Sequence, residues 1–415
     1  MRSIKRSIKI QLCTQVTYQQ LIIMVYLLYK IKEVDNLLLM RKGPIMFTKY
    51  DEKWSKQPML LSGTRVWRTY TGGRMIDEFM GNDDPSDGHF PEEWIASVVQ
   101  AFNPGREQIV EGLNRLQFGD ETGPTLKECI ENDPVAWLGQ KHVAEFKNTT
   151  GFLIKFIDSS ERLTIQVHPT KQKAKELFNS LFGKTEVWYI LGGRSIDGVE
   201  PCVYHGFKSN VSRDRFKRLF DVQDISGMLD CLNKVPVNPG QVILMPGGLP
   251  HAIGAGCFLL ELQEPTDYTI RVERVTPGGL KVPDELCHQG IGFEKMFDCF
   301  SFTDDTPHKP DDYVLTPETV RDDENGIEQI RVSYTDTPFF SMRTFKINKS
   351  MRISQHGGFS VIVVLAGSGT INRGGDELSI KQGQQLFLPA GLSEIVCSSN
   401  GAAPVELVQC LPAKL

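Results

Sequence analysis

The sequence predicts a mainly β protein with two small β-barrel domains and helical insertions, and three observations support this fold class. First, 37 glycines and 23 prolines separate short runs of β-branched and aromatic residues, which is typical of strands joined by turns. Second, one pattern of strand, turn and corner occurs twice in the chain. Third, the 415 residues are enough for two or three domains that each bury a core.

The repeated pattern is a turn glycine, a five-residue strand and a proline–glycine corner. The first copy, Gly240 to His251, has the form Gly-x5-Pro-x-Gly-x2-His, whereas the second copy, Gly383 to Glu394, ends in glutamate. A strand that ends in glycine precedes each copy. The residue after such a corner is expected to point into a barrel. The pattern resembles the second motif of the cupins, jelly-roll or double-stranded β-barrel domains that hold a metal in the barrel mouth.

The repeat suggests how the chain is divided. We expect residues 46–310 to contain an N-terminal segment and a metal-binding cupin barrel with helical insertions. We expect residues 335–415 to form a second, metal-free cupin barrel. Between them, residues 303–328 are acidic and contain proline, which indicates a linker or surface loop.

Residues 1–45 are expected to be an extension without a folded role. They open with a basic stretch and contain the apolar run 21–28, which is too short for a bilayer span of about 20 residues. A signal peptide is not favoured, because no small-x-small cleavage site follows the run. Met40 and Met46 are both plausible alternative starts.

Periodicity and capping signals predict the individual elements. Thr125 and Glu128 form a capping box that predicts a helix over 125–137, with Pro134 ending it or starting a second turn. Helical spacing also occurs over 171–182 and 211–232, while 91–102 fits either a strand or a short helix. The predicted strands are 151–157, 162–167, 185–191, 241–246, 256–263, 361–366 and 384–389.

Composition excludes several classes of function. The formal net charge is −5 with acids and bases interspersed, so no nucleic-acid surface or polybasic membrane patch is indicated. The nine cysteines include no Cys-x-x-Cys pair, which argues against a zinc ribbon or a thioredoxin-like site. Reduced and mostly buried thiols in a cytoplasmic protein are expected.

A metal-ligand set surrounds the first copy of the repeat. Gln166 and His168 are two residues apart, so in a strand both side chains point to one face. Glu186 starts the next strand, and His251 follows the corner. These four nitrogen and oxygen ligands leave room for water or substrate, which suits zinc or a similar divalent metal. We therefore expect one Zn²⁺ per chain.

The second copy of the repeat lacks this set. Ser360 stands where Glu186 stands, and Glu394 stands where His251 stands. His356 is isolated beside two glycines and is interpreted as a loop histidine. The second barrel is therefore predicted to have a structural role.

Four motifs in order resemble one family, the type I mannose-6-phosphate isomerases, and the resemblance runs from about Leu61 to the C-terminus. The motifs are Leu163–Pro169, Gly183–Tyr189, Pro250–Gly254 and Glu264–Arg271. The resemblance implies a zinc-dependent aldose–ketose isomerase that interconverts mannose 6-phosphate and fructose 6-phosphate.

The resemblance also implies roles for particular residues. The metal ligands correspond to Gln166, His168, Glu186 and His251. The active-site arginine corresponds to Arg271 and the lysines to Lys184 and Lys155, and Thr164 is expected to join these three in binding substrate. Some members have a histidine where this chain has Gly183, so a proton-transfer role for that histidine cannot apply here.

Isomerisation requires a base that removes the proton beside the carbonyl and a charge that stabilises the resulting enediol. Glu261, Lys184 and a hydroxide on the metal are the candidate bases, and the sequence does not choose among them. We expect Arg271, Lys184 and Glu261 to be the catalytic residues. Glu261 and Gln263 lie on the same strand face, and this face points either into the barrel or to solvent.

A phosphorylated substrate requires fixed cations. Arg271 follows an aromatic and β-branched strand and can enter the barrel mouth. Lys155 lies inside an apolar run, so it is either solvent-facing or buried and functional. Residues 182–185 superficially resemble a phosphate loop, but Phe178 occupies the position of its first glycine, so nucleotide binding is rejected.

Two other functions compete with the isomerase. One is another metal-dependent cupin enzyme, such as an iron or manganese oxygenase, which would consume oxygen. The other is a non-catalytic sugar-binding cupin, which would be expected to lack metal ligands in the first barrel. A small sugar phosphate is the expected partner, with no nucleic acid and no membrane, and the protein is expected to be a monomer or homodimer.

Overall fold

The protein is mainly β, as the sequence predicts. The computed structural model describes residues 51–415 except 104, 303–307, 374–375 and 402. The predicted extension at 1–45 lies outside the described residues, so its lack of a folded role remains a prediction. Within the described ranges, no helix has the length and hydrophobicity that a membrane-spanning segment requires.

The N-terminal segment contributes short strands and four helices before the first barrel. The strands are β1 (Met59–Leu61), β2 (Thr64–Val66), β3 (Glu92–Ile95), β4 (Arg115–Phe118) and β5 (Glu121–Thr125). The helices are α1 (Arg74–Met80), α2 (Leu126–Asn132), α3 (Pro134–Leu138) and α4 (Gln140–Phe146), preceded by a 3₁₀ helix at Glu52–Lys56. The capping box of Thr125 and Glu128 is present at the start of α2, and Pro134 begins α3.

The first barrel is built from the central part of the chain. Its strands are β6 (Leu153–Asp158), β7 (Gln166–Val167), β8 (Glu186–Gly193), β9 (Cys202–Phe207), β10 (Leu232–Pro236), β11 (Val242–Met245), β12 (His251–Ile253), β13 (Cys257–Gln263) and β14 (Ile270–Arg271). The helices are α5 (Lys171–Phe178), α6 (Arg213–Asp221), α7 (Ile225–Asp230), α8 (Asp284–His288) and α9 (Phe293–Met296). The helix predicted over 171–182 ends at Phe178, because Asn179 adopts a left-handed conformation.

Two sheets face each other in the first barrel. One has the order β10-β9-β12-β7-β14, and the other joins β11, β8, β13, β6, β3 and β2. Their inner faces share a buried core that includes Trp188, Val203, Ile253 and Leu259. The single helix predicted over 211–232 is instead two helices, α6 and α7, because Asp224 caps a new helix start.

The second barrel follows residues 310–313, which form a 3₁₀ helix after another at Phe297–Cys299. The next strand, β15 (Val314–Leu315), still belongs to the first barrel, where it pairs with β11. The strands of the second barrel are β16 (Glu318–Asp323), β17 (Gly326–Val332), β18 (Phe340–Ile347), β19 (Ser350–Ser354), β20 (Ser360–Ala366), β21 (Ser368–Arg373), β22 (Asp376–Lys381), β23 (Gln385–Leu388), β24 (Glu394–Ser399) and β25 (Val405–Pro412).

The sheets of the second barrel extend beyond residues 335–415. One has the order β16-β17-β18-β25-β20-β23-β1-β4-β5, and the other is β19-β24-β21-β22. The expectation that 303–328 is a linker or surface loop is wrong for β16, which is fully exposed but pairs with β17. The proposed division into 46–310 and 335–415 remains a proposal about folding units.

The two copies of the repeat adopt the same local structure. Gly240 and Gly383 both have positive φ, at 90° and 87°, which is the left-handed conformation that glycine adopts without strain. The strands that follow are β11 and β23, and the residues after the corners, His251 and Glu394, begin β12 and β24.

Candidate metal centre and active site

The four predicted metal ligands come together in the first barrel. His251 on β12 pairs directly with Gln166 on β7, while His168 follows β7 and Glu186 begins β8. Glu186 Oε2 lies 3.3 Å from His168 Nε2, and Glu186 Oε1 lies 3.4 Å from His251 Nε2. The ligand atoms of these three residues all lie within 4.8 Å of one another. Gln166 Nε2 lies 3.2 Å from His251 Nε2, so turning its amide would present the oxygen that binds metals.

Backbone carbonyls orient both histidines. Nδ1 of His168 is 2.8 Å from the carbonyl oxygen of Tyr268, and Nδ1 of His251 is 2.8 Å from that of Leu249. A proton on each Nδ1 satisfies these bonds and leaves Nε2 with a free lone pair facing Glu186. Burial, followed by the charge of Lys184, lowers the pKa of His168 to about 3, and burial lowers the pKa of His251. Both rings are therefore neutral, as metal ligation requires.

The carboxylate of Glu186 fits a bound cation. Its side chain is fully buried, and neither oxygen has a hydrogen-bond partner among the described residues. Burial would raise the pKa of Glu186, but the charge of Lys184 opposes burial, and the pKa is well below its usual range. A buried, ionised carboxylate without hydrogen bonds is costly unless a cation compensates it. The residues present therefore fit a divalent metal.

Lys184 lies beside the predicted metal ligands. Its Nζ is 3.1 Å from His168 Nε2 and 3.4 Å from Glu186 Oε2. The side chain is buried and lines the adjoining cavity. Lys184 can therefore reach both the ligand cluster and a molecule in the cavity.

Lys155 and Glu261 form a buried ion pair. They are directly opposite on β6 and β13, and Lys155 Nζ lies 3.0 Å from Glu261 Oε1. The indole of Trp188 donates to Glu261 Oε2 over 3.2 Å. The sequence left open whether the side chains of Lys155 and Glu261 face solvent or the barrel interior. In the structure both side chains are buried. Burial and then the charge of Glu186 raise the pKa of Glu261 against the opposing effect of Lys155.

Arg271 and Thr164 line the same cavity, which has a volume of about 440 Å³. Arg271 Nη1 donates to the carbonyl oxygens of Thr269 and Leu286, each over 3.1 Å. Burial lowers the pKa of Arg271, with Asp267 opposing this effect. The predicted metal, catalytic and substrate residues thus surround one site. Six of them line the cavity itself: Lys155, Thr164, Gln166, Lys184, Glu261 and Arg271.

Four charged residues of the cavity wall were not predicted: Arg68, Glu92, Arg162 and Asp267. Arg68 Nε forms a 2.9 Å ion pair with Glu92 Oε1. Asp267 lies inside the family-like run that ends at Arg271, which was a usable signal. Arg68 and Glu92 lie in segments where nothing distinguishes them from surface charges.

Comparisons with known proteins agree with this geometry. Residues 66–182 match the family model "Phosphomannose isomerase type I, catalytic domain", and residues 331–405 match "Mannose-6-phosphate isomerase, cupin domain". The mannose-6-phosphate isomerase of Streptococcus mutans is 28% identical over 333 residues, covering 80% of this chain and 92% of that protein. The mannose-6-phosphate isomerase ManA of Bacillus subtilis is 25% identical over 283 residues, covering 68% and 81%.

Solved structures share the fold. The mannose 6-phosphate isomerase from Bacillus subtilis superposes with a TM-score of 0.65 at 22% identity, over 85% of this chain and 99% of that one. A zinc-bound mannose 6-phosphate isomerase gives a TM-score of 0.63 at 16% identity, over 86% and 100%. The family models and the curated relatives show that the chain is similar in sequence to type I phosphomannose isomerases, and the solved structures show that it shares their fold.

Proposed function

We propose that this chain is a zinc-dependent aldose–ketose isomerase that interconverts mannose 6-phosphate and fructose 6-phosphate through an enediol. The observation that carries the proposal is the buried carboxylate of Glu186, which accepts no hydrogen bond from a described residue and lies between His168 and His251, next to a cavity lined by cations. The relatives from Streptococcus mutans and Bacillus subtilis are named for this activity.

Gln166, His168, Glu186 and His251 would hold one zinc ion per chain. When bound there, zinc supplies positive charge that stabilises the negative charge developing on the substrate oxygens. Lys184 adds a second positive charge beside Glu186 and His168, where its ammonium can donate to a substrate oxygen.

Glu261 is the proposed proton carrier. Its raised pKa brings its basicity nearer to neutral pH, which favours proton transfer to and from carbon. Lys155 holds one carboxylate oxygen and Trp188 the other, so the group is fixed in the cavity wall. The same carboxyl can accept the proton from one carbon of the substrate and return it to the neighbouring carbon.

Arg271, Lys155 and Thr164 are the proposed substrate contacts, together with Lys184. Arg271 has its guanidinium held by two backbone carbonyls, so it enters the cavity with its position fixed. A guanidinium stays charged at any working pH and suits the phosphate or the enediolate. We further propose a cytoplasmic enzyme that is a monomer or homodimer, in keeping with the eight described cysteines, which are all buried and unpaired.

Coupled-assay turnover of mannose 6-phosphate, with and without chelator, tests the proposal. We expect turnover that chelator abolishes and added zinc restores. The variant Glu186→Gln should show no turnover at the zinc concentration that restores turnover in the wild type. Oxygen consumption without isomerisation would indicate a cupin oxygenase, and sugar-phosphate binding without turnover would indicate a non-catalytic cupin.

A further inference from the structure

Arg68 is fixed in the wall of the cavity by contacts that use only part of its guanidinium. Its Nε forms the ion pair with Glu92, and its Nη1 donates to the Trp67 carbonyl over 3.4 Å and to Asn103 Oδ1 over 3.3 Å. The guanidinium also lies 5.1 Å from the centre of the Trp94 ring. These contacts restrict Arg68 to one orientation.

Glu92 is itself held rigidly, so it acts as the anchor of Arg68. Its Oε1 accepts from the Tyr70 hydroxyl over 2.8 Å, and its Oε2 accepts from the Trp94 indole over 2.7 Å. Burial would raise the pKa of Glu92, but Arg68 and then Lys155 outweigh it and the pKa is lowered. The carboxylate is therefore ionised and keeps the guanidinium in place.

The remaining nitrogen, Nη2 of Arg68, is a buried donor without a hydrogen bond to any described residue. Asp267 Oδ2 lies 3.9 Å from this nitrogen, which is too long for a hydrogen bond. Leaving a buried charged donor unsatisfied is costly, so a ligand atom that accepts from it gains binding energy. The gap faces the cavity, since both side chains line it.

The pairing of a donor with a carboxylate selects the kind of ligand group. A phosphate oxygen would accept from Arg68 but would be repelled by Asp267. A hydroxyl satisfies both residues, because its oxygen accepts from Nη2 while its proton is donated to the carboxylate. Resting on the proposed function, we infer that Arg68 and Asp267 together bind one sugar hydroxyl at a carbon that does not react, and so determine substrate specificity.

In the open-chain form of an aldose 6-phosphate the reaction takes place at carbons 1 and 2, which leaves the hydroxyls on carbons 3, 4 and 5 as candidates. The test measures kcat/KM on mannose 6-phosphate and on its 3-deoxy, 4-deoxy and 5-deoxy analogues. It compares the wild type with Arg68→Lys, which keeps a charge for Glu92 but loses the forked donor. Arg65→Lys is the matched control, because Arg65 lies on the same segment and its donors are used by Phe90, Gly73 and Asp77.

We expect the wild type to lose about 100-fold or more in kcat/KM on one deoxy analogue, because a site built for a hydroxyl rejects a substrate without it. For Arg68→Lys, kcat/KM on mannose 6-phosphate should be about tenfold or more below that of the wild type, mainly because KM rises. On the analogue that the wild type rejects, kcat/KM of Arg68→Lys should be nearly the same as that of the wild type. The zinc content and melting temperature of Arg68→Lys should match those of Arg65→Lys.

Three outcomes would overturn the inference. The wild type could turn over all three deoxy analogues as well as the parent, a result that needs no variant. Arg68→Lys could lose the same factor on all four substrates, which would indicate a phosphate contact if inhibition by inorganic phosphate weakened in parallel. It could also lose zinc or melt early, which would indicate a structural role. Absence of wild-type turnover on mannose 6-phosphate would instead overturn the proposed function.

Discussion

Glu186 and Ser360 occupy equivalent positions in the two barrels. Each pairs with the residue directly before the corner proline, Glu186 with Met245 and Ser360 with Leu388. Ser360 donates to Gln355 Oε1 over 2.8 Å and accepts from Gln409 Nε2 over 3.0 Å. At this position the second barrel therefore has a neutral side chain with its hydrogen bonds made, whereas the first barrel has a carboxylate that accepts no hydrogen bond from a described residue.

The first prediction is that the two copies of the repeat differ in metal binding. Glu186→Gln should lose at least tenfold in zinc affinity, because an amide replaces the charged ligand. The matched change in the other copy, Glu394→Gln, should leave zinc content at one per chain, since Glu394 lies at the surface in an ion pair with Arg352. Elemental analysis of both variants checks this. Loss of zinc in Glu394→Gln would place the metal in the second barrel.

The second prediction concerns Glu261. Glu261→Gln should reduce kcat by about 10²–10⁴, the usual contribution of a positioned base, with zinc retained. Burial raises the pKa of Glu261, and a base must be deprotonated, so wild-type kcat/KM should fall as pH falls through a value above that of an ordinary glutamate.

Steady-state kinetics against pH measures this limb, which should be absent in Glu261→Gln. The half-buried glutamate Glu406, changed to glutamine, serves as the control. A variant with normal kcat and an unchanged acid limb would exclude Glu261 and leave Lys184 or a hydroxide on the metal as the base.

The third prediction is that Arg271 acts on the substrate and not on the metal. Arg271→Lys should keep its zinc and thermal stability while turnover falls by about 10²–10³, the usual cost of losing a donor that acts in the transition state. Kinetics with zinc quantified in the same samples checks this, with the exposed arginine change Arg352→Lys as control. Near-normal turnover, or zinc lost together with activity, would show that its role is different.

The fourth prediction concerns a buried carboxyl that joins the two barrels. Glu93 on β3 accepts from the Thr64 amide over 2.7 Å and from Gln385 Nε2 on β23 over 3.1 Å. Burial raises the pKa of Glu93 to about 7 against the opposing effect of Gln385. The folded state thus binds this proton more tightly than the unfolded state, so its contribution to stability is present below about pH 4.5 and is lost as pH rises to about 7.

Glu93→Gln removes this titration but keeps an oxygen to accept from Thr64. The free energy of unfolding of the wild type should therefore fall more between pH 4.5 and 7 than that of Glu93→Gln, by on the order of 1–3 kcal/mol. Urea unfolding at several pH values measures both. Equal pH dependence in the two proteins would mean that Glu93 does not titrate in this range.

The cluster of candidate metal ligands and the barrel strands could be predicted because local sequence patterns indicate them. The repeat places His251 after a glycine–proline corner, and Gln166 and His168 share a strand face by their spacing. Strand β16 was missed because all of its residues are exposed, so no apolar alternation marks it. It forms by pairing with β17, a contact that its own sequence does not indicate.

Residues whose role depends on the tertiary fold could not be assigned from the sequence. Lys155 lies on β6, where every residue is buried, so alternation could not tell inward from outward positions. Arg68 and Asp267 are far apart in sequence, and only the packing of the N-terminal segment against the first barrel brings them together. Unlike the candidate metal ligands, these two residues are not part of a short sequence pattern that would indicate their contact.

The most direct test of the account is a zinc titration of chelator-treated protein, with turnover of mannose 6-phosphate measured at each addition. One intact ligand set predicts that turnover rises linearly and stops rising at one equivalent of zinc per chain. A break at two equivalents, or no turnover at any amount of zinc or other divalent metal, would contradict the account.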